Sequence, residues 1–295
     1  MANEELNYFL YDVFSKTQNG GGQLAVVEVP KNVEDLVSEK RLQEISKDFN
    51  FPETVFIYDS EDYFARLRIF TIAMELPMAG HPTIGTAFHL KTTKDAPDSF
   101  VLDLLVGPTK IEFVNNKAFM FQQPHEYREA ENLNINRLCE AVGLETSDLN
   151  IDLPIEFSSA GLEFLFIPVK NIESLSKSVP NTEIGSDLLR HYGTEHVYLF
   201  TRVDENTYRT RMYDLSGADL VEDPATGSAA GSFTMYLNKN DKNIDLVNKG
   251  LTINQGIEIG RASEIFTTII KDEHGNDVPR VGGTAVKTGS GKLAI

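Results

Sequence analysis

Two stretches rich in proline and glycine carry the groups that could do chemistry in this sequence. They are ELPMAGHPTIG, from Glu75 to Gly85, and EDPATGSAAG, from Glu222 to Gly231. Each leads into a segment with a helical pattern. A helix that begins there would present its first N–H groups, at the positive end of the helix dipole, to an anion. The stretches therefore predict a site for a carboxylate, or for negative charge that develops during a reaction.

The same residues also fit two ordinary capped helices. Thr226 and Ser228 are favoured N-cap residues, and Pro82 suits the first helical position. In favour of a binding site, the turn occurs twice in one context. Both copies follow an Arg-x-Arg strand, and 147 residues separate the two glutamates (75 and 222) as well as the two glycines (80 and 227). This repeat predicts two topologically equivalent halves.

Glu53 is a candidate general base. It lies between Pro52, which fixes the backbone and donates no hydrogen bond, and an apolar strand. Shielding by Phe51 and Phe56 would disfavour the charged form, so we expect the pKa of Glu53 to exceed its usual value of about 4.3. A solvated glutamate at the start of a strand is the alternative that these residues leave open.

The composition narrows the class of protein. The chain has 295 residues, which suits about two domains, and a net charge of −17. This charge argues against nucleic acid as a partner, because the phosphate backbone would be repelled. The acidic first residues and the lack of an 18-residue apolar run predict a cytoplasmic protein with no membrane partner. The single cysteine, Cys139, lies in a helical pattern and is expected to be a packed core thiol.

The sequence lacks the motifs of several other chemistries. GSGK near the C terminus does not complete a P-loop, no HExxH or paired Cys/His spacing indicates zinc, and Ser228 is not in a G-x-S-x-G elbow. His89, farther along the helix that follows AGHP, is expected to have a structural role. The chemistry is therefore expected to depend on carboxylates and backbone amides.

Both halves mix strands with helices, which predicts an α+β fold. In the first half a helix is predicted over Asn32–Phe49, with Leu36, Leu42 and Ile45 on one side. The pair Asn115-Asn116 predicts a hairpin turn between two strands. In the second half, helices are predicted at Asn134–Gly143, Gly185–Gly193 and Gly227–Leu237.

Three segments resemble the signature segments of the PhzF family, a phenazine-biosynthesis-like branch of the diaminopimelate epimerase fold. They are FPETVF, ELPMAGHPTIGTA and VEDPATGSAAG. The resemblance implies two pseudo-symmetric halves, each a curved, barrel-like mixed β-sheet around a central helix, with an active site between them. We expect the halves at 1–125 and 126–280, with a C-terminal strand at about 281–295 packed back on the first. The resemblance also implies a homodimer and chemistry without metal or organic cofactor.

Carried onto this sequence, the resemblance implies three catalytic residues, Glu53, His81 and Asp223. It also implies that the two turns bind the substrate, through Gly80, Thr226, Gly227 and Ser228.

The activity that the resemblance implies is that of a cofactor-independent isomerase. Glu53 would remove a proton from one carbon of a small anionic substrate and return it at another carbon. The two-thiol racemases of the wider fold are excluded, because the chain has one cysteine. The chain departs from the family pattern at Pro52 and at Gly22-Gln23, which leaves the substrate open. The alternative is a non-catalytic small-molecule-binding or scaffold protein of the same fold.

Overall fold

The computed structural model describes residues 5–122, 126–217, 221–272 and 274–295. The chain divides into two compact units, of which the first is Met1–Phe121 with Gly282–Ile295 and the second is Gln122–Val281. The expected boundary after residue 125 falls in 123–125, outside the described residues. Within the described ranges, no helix is both long and apolar enough to cross a membrane.

The elements are numbered along the chain. The strands are β1 (Glu5–Val13), β2 (Gly22–Glu28), β3 (Glu53–Tyr58), β4 (Ala65–Phe70), β5 (Glu75–Leu76), β6 (Ser99–Leu104), β7 (Gly107–Val114), β8 (Lys117–Phe121), β9 (Glu126–Glu129), β10 (Glu156–Ser159), β11 (Glu163–Pro168), β12 (His196–Arg202), β13 (Thr207–Asp214), β14 (Glu222–Asp223), β15 (Leu251–Gln255), β16 (Ser263–Lys271), β17 (Asp277–Gly283) and β18 (Ala285–Ala294). The α-helices are α1 (Glu39–Phe49), α2 (Gly80–Thr93), α3 (Ile135–Ala141), α4 (Ile172–Lys177), α5 (Thr182–Leu189) and α6 (Gly227–Asn240). Short 3₁₀ turns lie at Glu34–Leu36, Thr146–Asp148 and Arg190–Tyr192.

The central helix of the first unit is α2. Ten of its 14 residues are buried, and it packs against β1, β2, β3, β8 and β18. In the surrounding sheet β2 and β3 are parallel, β3 and β4 are antiparallel, and β4 and β6 are parallel. The two parallel connections contain α1 and α2, since a strand can return in the same direction only through a crossover. The small and apolar residues all round α2 let it be buried on every side.

The second unit repeats this plan around α6, of whose 14 residues ten are also buried. Here β11 and β12 are parallel, β12 and β13 antiparallel, and β13 and β15 parallel. The two-residue strands repeat in register, because Phe70 pairs with Glu75 in the first unit and Tyr213 pairs with Glu222 in the second. The predicted α+β class, with its repeated halves, is confirmed.

The helix predicted over Asn32–Phe49 is wrong in its first part. The chain forms a 3₁₀ turn at Glu34–Leu36, and α1 begins only at Glu39 because the Ser38 side chain accepts a hydrogen bond from the first turn of the helix. Leu36, expected on the buried side, is 62% exposed. The cap separates Leu36 from the regular helix and so removes it from the apolar face.

Candidate active site

Glu53 is the first residue of β3 and lies beside Leu24 of the parallel strand β2. Its side chain is only 16% exposed, so the alternative of a solvated glutamate does not hold. The expected shielding by Phe56 is wrong, because residues three apart on a strand point to opposite faces. Phe56 instead packs in a cluster with Leu42 and Ile45 of α1. The face of the strand that carries Glu53 is the one that meets His81.

His81, the second residue of α2, is brought into contact with Glu53. The His81 Nε2 atom lies 3.2 Å from Glu53 Oε2 and 3.2 Å from the main-chain oxygen of Gln23. A carbonyl oxygen can only accept, so Nε2 must carry a proton to bond with it. Gly22 makes room for the imidazole, because a Cβ at that position would lie 3.1 Å from His81 Cδ2. The pair thus joins a largely buried carboxyl group to an N–H donor.

The start of α2 has the free amides expected of an anion-binding turn. Its N-cap residue is Ala79, and no side chain in the described part of the protein caps it. The first residues are Gly80 and His81, so Pro82 is third in the helix and not at the first helical position, as the capped-helix alternative required. The first turn contains no acidic residue. A negatively charged group at this position would meet N–H donors and the positive end of the dipole.

Asp223 lies in β14 of the second unit, opposite Met212 of β13. Its Oδ1 atom accepts a hydrogen bond from the Ala225 N–H at 3.2 Å, and its Oδ2 atom accepts one from the Thr226 hydroxyl at 2.6 Å. The carboxyl group is half-buried. Both of its oxygens therefore face donors within its own turn.

The start of α6 repeats the start of α2. Thr226 occupies the N-cap position, but its side chain makes no capping hydrogen bond. Its hydroxyl instead donates to Asp223 and accepts from the Gln255 amide. Gly227 is the first residue of α6, and Ser228 is half-buried in the second position, which His81 occupies in α2. The alternative in which Thr226 and Ser228 are only helix caps is therefore wrong for Thr226, whose hydroxyl donates a hydrogen bond to the Asp223 carboxyl group.

The structure brings the expected site residues together in two groups. Glu53, Gly80 and His81 meet in the first unit. The group in the second unit consists of Asp223, Thr226, Gly227 and Ser228.

Two of the residues that adjoin these groups, Gly22 and Gln23, stand out in the sequence only as a departure from the family pattern, and the structure places them against the His81 imidazole. A third residue, Gln255, was missed by sequence reasoning. Gln255, at the end of β15, donates hydrogen bonds to the Asp223 main-chain oxygen and to the Thr226 hydroxyl. A lone glutamine at the end of a strand carries no local signal, because its position depends on the pairing of β15 with β13.

The remaining reactive side chains form no further centre of this kind. Cys139 is a buried free thiol whose pKa is raised by its burial, and the prediction of a core thiol is confirmed. His89 is fully buried and bonds to the Tyr11 hydroxyl, which agrees with a structural role. Outside 1–4, 123–125, 218–220 and 273, no three His, Cys, Asp or Glu side chains are grouped so that they could hold a metal ion.

The protein is built from two repeated α+β units, and its relatives place it in the isomerase class. Relatives that share the whole length of the chain bear the name isomerase. The chain belongs to the family described as phenazine biosynthesis-like protein, PhzC-PhzF, whose family model matches residues 11–291.

Individual relatives support this assignment. An uncharacterized isomerase of Mesorhizobium japonicum is 32% identical over 98% of this chain and 99% of its own. The trans-2,3-dihydro-3-hydroxyanthranilate isomerase of Pseudomonas aeruginosa is 32% identical over 88% of each chain. Among solved structures, a PhzF-family phenazine biosynthesis protein of Bacillus anthracis matches with a TM-score of 0.89 and 26% identity, covering 99% of this chain and 100% of its own.

Proposed function

We propose that this protein is a cofactor-independent isomerase that moves a proton on a small carboxylate substrate, with Glu53 as the general base. The observation that carries the proposal is the distance of 3.2 Å between His81 Nε2 and Glu53 Oε2 in a largely buried setting. A carboxylate removed from water and next to an N–H donor is suited to take up and return a proton.

The proposed reaction balances without a co-reactant. The Glu53 carboxylate takes a proton from a carbon next to a C=C or C=O bond, and the electrons of the C–H bond move into the adjacent π system. The conjugate acid of Glu53 then returns the proton at another carbon of that system. The imidazole of His81, whose Nε2 atom lies 3.2 Å from Glu53 Oε2, positions the Glu53 side chain during both steps.

In this proposal the helix starts bind negative charge on the substrate. The donors in α2 are the N–H groups of Gly80 and His81, since Pro82 has none and the Thr83 N–H bonds to the Ala79 main-chain oxygen. In α6 the donors are the first N–H groups after Gly227, because neither helix has a side-chain cap or an acidic first turn within the described residues. Asp223 and Ser228 are the polar side chains of the second unit that we assign to the site.

The relative from Pseudomonas aeruginosa is named for trans-2,3-dihydro-3-hydroxyanthranilate, an amino-substituted cyclic carboxylate. We propose a substrate of the same chemical class for this chain. Gly22 and Pro52 stand where the family pattern has polar side chains, so the preferred ring substituents are expected to differ.

Exchange with solvent deuterium tests the base. Purified protein is incubated in D₂O with trans-2,3-dihydro-3-hydroxyanthranilate and with other cyclic or amino-acid-like carboxylates, and deuterium in the carbon framework is measured by NMR. We expect incorporation with the wild type and with Glu61→Gln, an exposed control in the same unit, and none with Glu53→Gln. Incorporation by Glu53→Gln at the wild-type rate would contradict the role of Glu53, and ligand binding without any incorporation would favour the non-catalytic alternative.

We further propose a homodimer, as the family resemblance implies, that works in the cytoplasm, as the acidic first residues and the lack of an 18-residue apolar run predict. Analytical ultracentrifugation should give twice the mass of the chain at micromolar concentration, and cell fractionation should recover the protein in the cytosol. A monomer in the first experiment, or a membrane-bound pool in the second, would contradict these two proposals.

A further inference from the structure

Gln255 is a fully buried side chain that closes the turn carrying Asp223. Its Nε2 atom lies 2.7 Å from the main-chain oxygen of Asp223 and 2.8 Å from Thr226 Oγ1. The same turn is held by the Ser263 hydroxyl, which donates to the Pro224 main-chain oxygen at 2.8 Å. The end of β15 and the start of β16 therefore both hold the turn before α6.

The orientation of the Gln255 amide follows from its partners. The main-chain oxygen of Asp223 can only accept a hydrogen bond, so the atom that faces it must be the nitrogen. The Gln255 Oε1 atom then faces the Tyr198 hydroxyl, which donates to it at 3.3 Å. Burial raises the pKa of Tyr198, so this hydroxyl keeps its proton. A flipped amide would place a carbonyl against a carbonyl.

The amide in turn fixes the direction of the Thr226 hydroxyl. Gln255 donates to Thr226 Oγ1, so the single hydroxyl proton of Thr226 is available for another acceptor. That acceptor is Asp223 Oδ2, at 2.6 Å. The Ala225 N–H already faces Asp223 Oδ1. Each oxygen of the carboxyl group thus accepts a hydrogen bond, and the two bonds together fix its orientation.

The repeat gives an independent comparison, since the first unit has the same backbone plan without these side chains. By the 147-residue offset, Leu76 and Ala79 stand where the second unit has Asp223 and Thr226.

The strand register extends the comparison to Gln255. Phe70 and Tyr213 are equivalent by their pairing with the two-residue strands. Four residues earlier, Arg66 pairs with Asp103 and Arg209 pairs with Asn254. The residue that follows Asp103 is Leu104, and the residue that follows Asn254 is Gln255, so these two are equivalent. The first unit thus has apolar residues at the three positions, and the second unit has polar residues at all of them. The apolar residues are Leu76, Ala79 and Leu104, and the polar ones are Asp223, Thr226 and Gln255.

We infer that Gln255 is a positioning residue which, through the Thr226 hydroxyl, orients the Asp223 carboxyl group. This inference rests on the proposed function only in taking Asp223 as a site residue. It gives Asp223 the role of a hydrogen-bond acceptor whose orientation toward the substrate is set by its turn.

Gln255, the Thr226 hydroxyl and Asp223 form a relay of hydrogen bonds. Substitutions in this relay test the inference with two readouts. Thr226→Val removes the hydroxyl at nearly constant shape, Thr226→Ser keeps it, and Gln255→Leu installs the residue of the first unit. Thr252→Val, on the same strand β15, is the matched control because Thr252 is half-exposed.

The first readout is the ¹³Cγ resonance of Asp223 at pH 7, assigned by its loss in Asp223→Asn, which needs neither substrate nor activity. We expect the resonance to move in Thr226→Val and Gln255→Leu and to stay within the line width in Thr226→Ser and Thr252→Val. An unmoved resonance in Thr226→Val would overturn the inference even if Gln255→Leu fails to fold.

The second readout is turnover. We expect kcat to fall about tenfold or more in Thr226→Val while KM changes less than about threefold, and Thr226→Ser to recover most of the lost kcat. Because the two residues act in one relay, the double variant Gln255→Leu/Thr226→Val should lose no more than the worse single variant. Losses that multiply would overturn the relay. Absence of turnover in every variant and in the wild type would count against the proposed function alone, since the resonance of Asp223 still tests the relay.

Discussion

The contact between His81 Nε2 and Glu53 Oε2 predicts a large kinetic effect with little effect on folding. In His81→Phe the ring still fills the space beside Gly22, but the N–H donor next to the carboxylate is lost. We expect kcat to fall about 10²-fold or more, as for the loss of a group that assists proton transfer. Deuterium incorporation measures this, with His191→Phe at an exposed position as the control. A wild-type rate in His81→Phe would leave the imidazole with a structural role only.

The lowered pKa of Glu28 predicts how the free energy of unfolding depends on pH. The His89 hydrogen bond and Lys94 lower the pKa of Glu28 to about 2. A carboxyl group whose pKa is lowered by folding stabilises the native state above its ordinary pKa, and this contribution is lost as the pH falls toward 2.

We therefore expect Glu28→Gln to lower the free energy of unfolding at pH 7 by on the order of 1 to 2 kcal/mol, because solvent screens part of the interaction of this incompletely buried carboxylate. Urea denaturation at pH 7, 5 and 3 should show the difference between wild type and variant shrinking at the lowest pH. A difference that is constant over this range would mean that packing, and not charge, explains the effect.

In each unit an arginine donates two hydrogen bonds to the glutamate of the turn before the central helix. In the first unit Arg68 holds Glu75, at 2.7 and 2.6 Å, and in the second Arg211 holds Glu222, at 2.9 and 2.7 Å. The two pairs differ in burial, since the Arg68 and Glu75 side chains are 25% and 20% exposed and the Arg211 and Glu222 side chains 7% and 10%.

The difference in burial predicts unequal costs for the same substitution. Glu222→Gln leaves a buried guanidinium without its counter-charge and should lower the free energy of unfolding by about 3 kcal/mol, whereas Glu75→Gln should cost about 1 kcal/mol. Urea denaturation of both variants at pH 7 measures the contrast. Equal losses would show that the shape of the turn, and not burial of the charge, sets the cost.

Features with a local signal could be predicted from the sequence. The Asn115-Asn116 turn is one example, because both residues adopt the positive φ, 50° and 59°, that a two-residue hairpin needs, and asparagine tolerates it. The repeated turns are another, because their residue types recur at a fixed offset. Ser38 is also a favoured N-cap residue, which explains why α1 begins at Glu39 and not at Asn32.

Other features depend on contacts that no local pattern records. The strands β5 and β14 have two residues each, too few to show an alternation. The helix α4 has only six residues and is marked mainly by the Asn171 cap. Gln255 lies beside Asp223 because β15 pairs in parallel with β13, and α6 lies between these two strands in the chain. The sequence alone could therefore predict the carboxylate but not the residue that orients it.

The two units share one backbone plan but not one set of polar residues. Thr54 pairs with Phe70 in the first unit, and Val197 pairs with the equivalent residue Tyr213 in the second. The residues before Thr54 and Val197, which are Glu53 and His196, are therefore equivalent. His196 lies 3.2 Å from Thr194 Oγ1 and 3.9 Å from Asp214 Oδ2. The contacts of the described residues include none between His196 and Ser228, the equivalents of Glu53 and His81. The repeat therefore extends to the backbone of the two units, and their polar side chains differ.

The net charge of −17 predicts an unusual response to salt for a protein that binds an anion. The field of the whole molecule repels a carboxylate at long range, while amides at hydrogen-bond distance attract it. Raising the ionic strength shortens the screening length from about 30 Å at 0.01 M to about 8 Å at 0.15 M, which weakens the repulsion far more than the close contacts. We therefore expect kcat/KM for the anionic substrate to rise about twofold or more between 0.01 and 0.15 M NaCl, with kcat nearly constant. Sucrose at matched osmolality controls for effects other than charge. A fall in kcat/KM over the same range would show that a local positive potential, and not the net charge, governs the approach of the substrate.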